Sequence, residues 1–95
     1  MSNRRELKRN INGLLGDVIE ECYDSLYENE GKNEEAVESI VDLAVDLADD
    51  LIGRANAAKK LKTRAEVKKC FSDIKEQLGD QVIVFIEKLN ALQFK

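Results

Sequence analysis

Cysteine thiols and serine hydroxyls are the candidate nucleophiles of this sequence, and each needs a neighbouring base to act in catalysis. Cys22 and Cys70 are the two cysteines, and the sequence contains no histidine, the commonest general base. Ser25, Ser39 and Ser72 fall in the middle of predicted helices with no base nearby. The helical register predicted below separates the two cysteines by more than roughly 7 Å, too far for a disulfide. We therefore expect two free, buried thiols and no nucleophilic catalysis.

Carboxylates recur along two predicted helices and could bind Mg²⁺ or Ca²⁺ if they faced each other. The stripes are Asp17, Glu21, Asp24 and Glu28, and Glu38, Asp42, Asp46, Asp49 and Asp50. The run from Glu20 to Asp24 also matches the EExxD-like pattern of helical nucleotide pyrophosphatases. Helical phase, however, turns the second stripe away from Ala44 and towards water. We therefore predict no metal, no cofactor, no small-molecule substrate and no enzymatic activity.

Apolar residues recur at steps of three and four through almost the whole chain, which is typical of amphipathic helices. The pattern predicts three helices, at about 3–28, 34–58 and 64–93. Because short connections join them, neighbouring helices must run antiparallel. The sequence therefore predicts one all-α domain over residues 1–95, an up-down-up three-helix bundle that associates into a dimeric bundle.

Local signals mark the two connections. Gly31 is placed where a left-handed residue commonly ends a helix, and the Asn33 side chain could accept hydrogen bonds from the first amides of the second helix. Thr63 and Glu66 form a capping box before the third helix. The end of the second helix is poorly marked and falls somewhere between residues 56 and 60.

The apolar stripes predict the core. They are Leu7, Ile11, Leu14, Leu15, Val18, Cys22 and Leu26; Val37, Ile40, Ala44, Leu47, Ala48, Leu51 and Ala55; and Val67, Phe71, Ile74, Leu78, Val82, Phe85, Leu89 and Leu92. Gly79 lies inside the third stripe, and the apolar phase is the same on both sides of it. We therefore expect the third helix to be unbroken, with a break at Gly79 as the less favoured alternative.

Length and composition are those of a small globular domain. The 95 residues are 43% hydrophobic and 36% charged, with a net charge of −4. The longest apolar run, Val82 to Ile86, is too short to span a bilayer, and no apolar stretch follows the charged N-terminus as in a secretory signal. We therefore expect a cytoplasmic protein that does not bind membranes.

Charge is sorted along the chain. Residues 1–12 carry a net charge of +3 and residues 54–69 a net charge of +6, while the remainder carries four basic and seventeen acidic residues. The up-down-up topology brings both basic segments to one end. This basic pole consists of Arg4, Arg5, Lys8, Arg9, Lys59, Lys60, Lys62, Arg64, Lys68 and Lys69. A nucleic acid or another anionic partner could bind there, although no groove-reading motif is present.

Apolar residues exceed what a three-helix core needs. The excess predicts an association surface made of Ile19, Tyr23, Val41, Val45, Ile83, Val84 and Ile86. The alternative is that helix crossing or the C-terminal segment covers part of these side chains. We expect a non-catalytic protein that acts through protein–protein association, as a homodimer or with another protein, and anion binding through the basic pole is the alternative function.

Two stretches carry a resemblance. E-C-Y-D-S-L-Y and N-E-E-A-V-E-S-I-V-D-L-A-V-D-L-A-D-D-L-I-G-R resemble a family of short bacterial helical proteins with no assigned activity. The resemblance covers the first two helices and implies an all-helical fold and a bacterial origin, and it implies no site residues. Members of that family tend to have proline before the last helix, where this chain has Ala57, Ala58 and Lys59.

Overall fold

The chain forms three helices in a computed structural model that describes residues 4–28 and 30–93. Helix α1 spans Arg4–Glu28, α2 spans Glu34–Ala57 and α3 spans Arg64–Gln93. The three helices pack on one another as an up-down-up bundle of about 51 × 19 × 16 Å, and α1 packs more extensively on α2 than either helix packs on α3. The predicted all-α three-helix bundle is confirmed. Gly79 lies within an unbroken α3.

One apolar stripe from each helix forms the core. The buried apolar residues are Leu7, Ile11, Leu15, Val18, Cys22, Val37, Ile40, Ala44, Leu51, Ala55, Ala58, Phe71, Ile74, Leu78, Phe85 and Leu89. The remaining predicted core residues other than Leu14, such as Leu26 and Val67, are half-buried and pack against this cluster. Periodicity did not identify Ser25, which is buried three residues after Cys22.

Leu14 is the exception, because it was predicted to face the core and is 43% exposed. It lies about 100° around α1 from Leu15, the residue that takes the core position at this level. That rotation puts Leu14 on the flank towards α3, where α1 is packed less extensively than it is towards α2.

The connection between α1 and α2 differs in detail from the prediction. The Gly31 amide donates to the Leu26 carbonyl (2.9 Å) and the Glu30 amide donates to the Tyr27 carbonyl (3.4 Å), which is the hydrogen-bond pattern of a Schellman motif. Glu30, with φ of 54°, therefore takes the left-handed position that was predicted for Gly31, and Gly31 follows it with φ of 80°.

Asn33 does not cap α2 through its side chain as predicted, because its own backbone is left-handed with φ of 61°. Its side-chain amide instead donates to the Leu92 carbonyl of α3 (3.2 Å). This hydrogen bond ties the first connection to the end of α3, so that the end of α1, the start of α2 and the end of α3 lie at one end of the bundle.

The second connection follows the prediction. Helix α2 ends at Ala57, inside the predicted interval, and a 3-10 turn over Ala58–Lys60 leads to α3. The Glu66 amide donates to the Thr63 hydroxyl (3.1 Å), which confirms the capping residue, and the Glu66 carboxylate accepts from the Lys62 amide (3.3 Å). The reciprocal half of the capping box thus reaches one residue further back than in the usual motif.

Glu30 offers a test of the first connection. A side chain disfavours the left-handed conformation, so Glu30→Gly is expected to raise the free energy of unfolding by about 1 kcal/mol. Urea denaturation followed by circular dichroism measures the change. As a control, Ala36→Gly at an exposed right-handed position of α2 should lower the free energy of unfolding by about 1 kcal/mol. Equal losses in both variants would contradict the assigned left-handed backbone at Glu30.

Candidate association surface and basic pole

Contacts of Arg54 identify the flanks on which α2 and α3 face each other. Its guanidinium donates to the Gln77 side chain (2.6 Å), and its carbonyl oxygen lies 3.9 Å from the Cys70 sulfur. Leu47 precedes Arg54 by seven residues and Val84 follows Gln77 by seven, and two turns of helix bring a residue back to the same stripe. Leu47 and Val84 therefore lie on the α2–α3 side of the bundle.

Val41 and Val45 lie on the other flank of α2, which faces α1. Helices α1 and α3 run in the same direction, and residues advance in the same sense around every right-handed helix. The observed α2–α3 contact therefore also determines which flank of α1 faces α2, and that flank carries Ile19 and Tyr23. Ile19 and Val41 are half-buried and pack against the core, whereas Tyr23 and Val45 are 58% and 45% exposed. We call these four residues the α1–α2 strip.

The three predicted association residues of α3 lie elsewhere. Val84 is 36% exposed on the α2–α3 side, near the level of Leu43, which is 45% exposed. Ile86 is half-buried against the core on the side of α1, and Ile83 points outwards with 58% exposure. The structure thus brings four of the seven predicted residues together and places the other three around α3.

Charged side chains flank the α1–α2 strip at its two ends. Arg5 lies five full turns before Tyr23 on α1, and Arg9 lies within about 40° of the same direction. On α2, Glu34 and Glu38 lie two turns before Val41 and Val45. All four charged side chains are exposed. Because α1 and α2 run antiparallel, the two arginines lie at one end of the strip and the two glutamates at the other.

The residues of the basic pole lie at the end of the bundle where α1 begins. Arg4, Lys59 and Val67 line one small groove of about 360 Å³, which shows that the three segments are adjacent. Arg4 and Lys8 are half-buried, and the other eight basic residues of the pole are exposed.

A larger open groove of about 1290 Å³ runs along the start of α3. Five basic residues line it and no carboxylate does; they are Lys62, Arg64, Lys68, Lys69 and Lys75. Leu61, Val67 and Phe71 supply apolar walls, and Leu61 is 38% exposed. This apolar lining was not predicted from the sequence. The one signal for it was Leu61, which lies between Lys60 and Lys62. We call this feature the basic groove.

The thiols have different surroundings. Cys22 is fully buried, and burial, followed by the nearby Glu21 carboxylate, raises the pKa of its thiol. A raised pKa keeps this thiol protonated, which is the opposite of what a nucleophilic cysteine needs. Cys70 is half-buried rather than fully buried as predicted, because it sits at the edge of the α2–α3 contact.

All five carboxylates of the predicted acidic stripe on α2 are exposed. Among residues 4–28 and 30–93, no group of three or more acidic or cysteine side chains is arranged to hold a metal ion. In this part of the chain Asp50 and Arg54 form an ion pair at 3.7 Å, which is solvent-exposed and contributes little to stability. Across the same residues, no helix combines the length and apolar character needed to cross a membrane.

Comparisons with protein-family models, with curated proteins and with solved structures give no match to this chain. The bacterial origin implied by the sequence resemblance stays a prediction.

The two thiols can be tested separately. A Cys70→Ser variant, which retains Cys22, is expected to react with Ellman's reagent only after unfolding, whereas a Cys22→Ala variant should react at Cys70 in the folded state. The raised pKa of Cys22 also predicts a pH effect: its contribution to stability is complete below the unfolded value of 9.0 and is lost as the pH rises through the folded pKa. Equal reactivity of both thiols in the folded protein would contradict the burial of Cys22.

Proposed function

We propose that this protein is non-catalytic and works by binding protein, and that its principal partner is a second copy of itself bound through the α1–α2 strip. The observation that supports this proposal is the exposure of Tyr23 and Val45, which helical phase places with half-buried Ile19 and Val41 on the flank where α1 and α2 meet. Contiguous exposed apolar surface of this kind marks association sites in soluble proteins.

A reducing compartment such as the cytoplasm fits this proposal. Both cysteines are free thiols, and structural disulfides are rare in such compartments. We place the protein there as part of the same proposal.

Val45→Glu tests the location of the interface. A buried, unpaired carboxylate opposes association, so the variant is expected to dissociate at concentrations where the wild type has twice the 10.7 kDa mass of one chain. Light scattering after size-exclusion chromatography measures the mass. Leu43→Glu is a matched control, because Leu43 has the same 45% exposure on the opposite flank of α2. Dissociation of the control alone would move the interface to the α2–α3 side, and a monomeric wild type would contradict the proposal.

Anion binding at the basic pole is the second candidate function. It is favoured by one observation, the basic groove, which is lined by five cations and no carboxylate. Its apolar walls at Leu61 and Phe71 suit an acidic protein segment with an apolar side chain better than they suit a nucleic acid backbone.

A salt titration tests this second candidate. A fluorescent acidic helical peptide with leucines at every third or fourth position is expected to bind, with affinity that falls steeply as salt rises. Reversing Lys62, Lys68 and Lys69 to Glu should weaken binding by about tenfold or more. Lys88→Glu, a reversal at the other end of α3, serves as control. Equal binding of a single-stranded DNA oligonucleotide would favour a general anion site, and binding indifferent to salt would contradict the candidate.

A further inference from the structure

We propose that the two copies lie side by side and antiparallel across their α1–α2 strips, so that the arginine end of each strip meets the glutamate end of the other. This inference rests on the proposed homodimer and adds its orientation, its symmetry and the residues that set both.

The order of residues along the strip supports this arrangement. Arg5 and Arg9 lie at one end, Val45 lies near the middle, and Glu34 and Glu38 lie at the other end. A two-fold axis through the middle of the strip places Arg9 of one copy near Glu38 of the other, and Arg5 near Glu34. A parallel pair would instead bring arginines against arginines and glutamates against glutamates, which is unfavourable.

The fold of a single chain does not account for the arginines. Arg5 lies in the first turn of α1, where the helix dipole disfavours positive charge. Within the described residues, neither Arg5 nor Arg9 lies close enough to a carboxylate to form an ion pair. Glu34 is favoured by the dipole of α2, but Glu38 lies beyond the first turn. An opposing charge from a second copy would compensate Arg5 and Arg9.

The centre of the strip permits close approach. Gly16 lies one turn before Ile19 on the exposed side of α1, and a Cβ atom there would meet nothing beyond the adjacent α1 backbone and its two neighbouring residues within 4 Å. A second copy can therefore come near the α1 backbone at this level. A two-fold dimer uses the same surface twice and closes on itself, whereas attraction between opposite poles without the strip would join copies into open chains.

Charge reversal tests the orientation. One variant carries Arg5→Glu and Arg9→Glu, a second carries Glu34→Lys and Glu38→Lys, and a third carries all four substitutions. In the antiparallel dimer each of the first two variants has like charges at both ends of the interface, so each is expected to self-associate at least about tenfold more weakly at low salt. The third variant has its poles exchanged and should regain self-association within about threefold of wild type. Thermal melting checks that each variant folds, and Lys88→Glu, outside both the strip and the basic groove, serves as a reversal control.

Cysteine crosslinking gives an independent readout. On a Cys70→Ser background, we expect Arg9→Cys chains mixed with Glu38→Cys chains to form a covalent dimer on oxidation, while neither variant crosslinks alone. Crosslinking of each variant with itself would show a parallel dimer.

The outcomes separate this inference from the homodimer itself. Wild-type dimers that persist unchanged through all the reversals, or that crosslink in the parallel pattern, would overturn the orientation and leave the homodimer standing. A wild-type chain that is monomeric at every concentration and salt tested would overturn both. Weakening by the two partial reversals, recovery in the exchanged variant and crosslinking only in the mixture would together support the antiparallel dimer.

Discussion

Burial of one apolar stripe from each helix in a common core is the constraint on which the rest of this structure depends. Leu7, Ile11, Leu51 and Ile74 are completely buried, and each contributes about 1.5–3 kcal/mol by leaving water. No helix can rotate about its axis without exposing these side chains. The rotation of each helix is therefore fixed, and so is the flank on which every surface residue lies.

The two connections between helices then fix how the helices meet at each end of the bundle. The Schellman pattern at Leu26 and Gly31 and the Asn33 hydrogen bond to α3 hold one end of the bundle, while Thr63 and Glu66 start α3 at the other. Antiparallel packing converts the order of charges along the chain into a separation in space. Basic segments far apart in sequence meet at one end, and the acidic remainder occupies the rest of the bundle.

Sequence periodicity was sufficient to predict the helices and most of the core, because each apolar stripe is a property of a single helix. It correctly kept α3 continuous through Gly79 and placed the capping residue Thr63. It could not determine which flank of a helix faces which neighbour, since that depends on the order of the three helices around the bundle. This is why Val84, taken from the sequence as part of one surface with Val45, lies on a different side.

The same limit explains the smaller errors. Leu14 fits the helical stripe, but the looser packing of α1 on α3 leaves it exposed. Glycine is the usual left-handed residue at a helix end, yet Glu30 takes that conformation because the hydrogen bonds to Leu26 and Tyr27 set the register of the turn. Leu14 is decided by contacts between helices and Glu30 by backbone hydrogen bonds at the end of α1, and residue preferences alone include neither.

The strip and the basic groove share no residue, because the groove is built from the second connection and the first part of α3. Occupation of one surface therefore leaves the other open. In an antiparallel dimer the two basic grooves would lie at opposite ends of the assembly, each beside the acidic end of the neighbouring copy. That neighbouring acidic surface would repel a nucleic acid approaching the groove, whereas a compact acidic peptide anchored by an apolar side chain at Leu61 and Phe71 would meet less of it. In such a dimer, its orientation and the choice of partner at the basic pole would be connected through the same separation of charge.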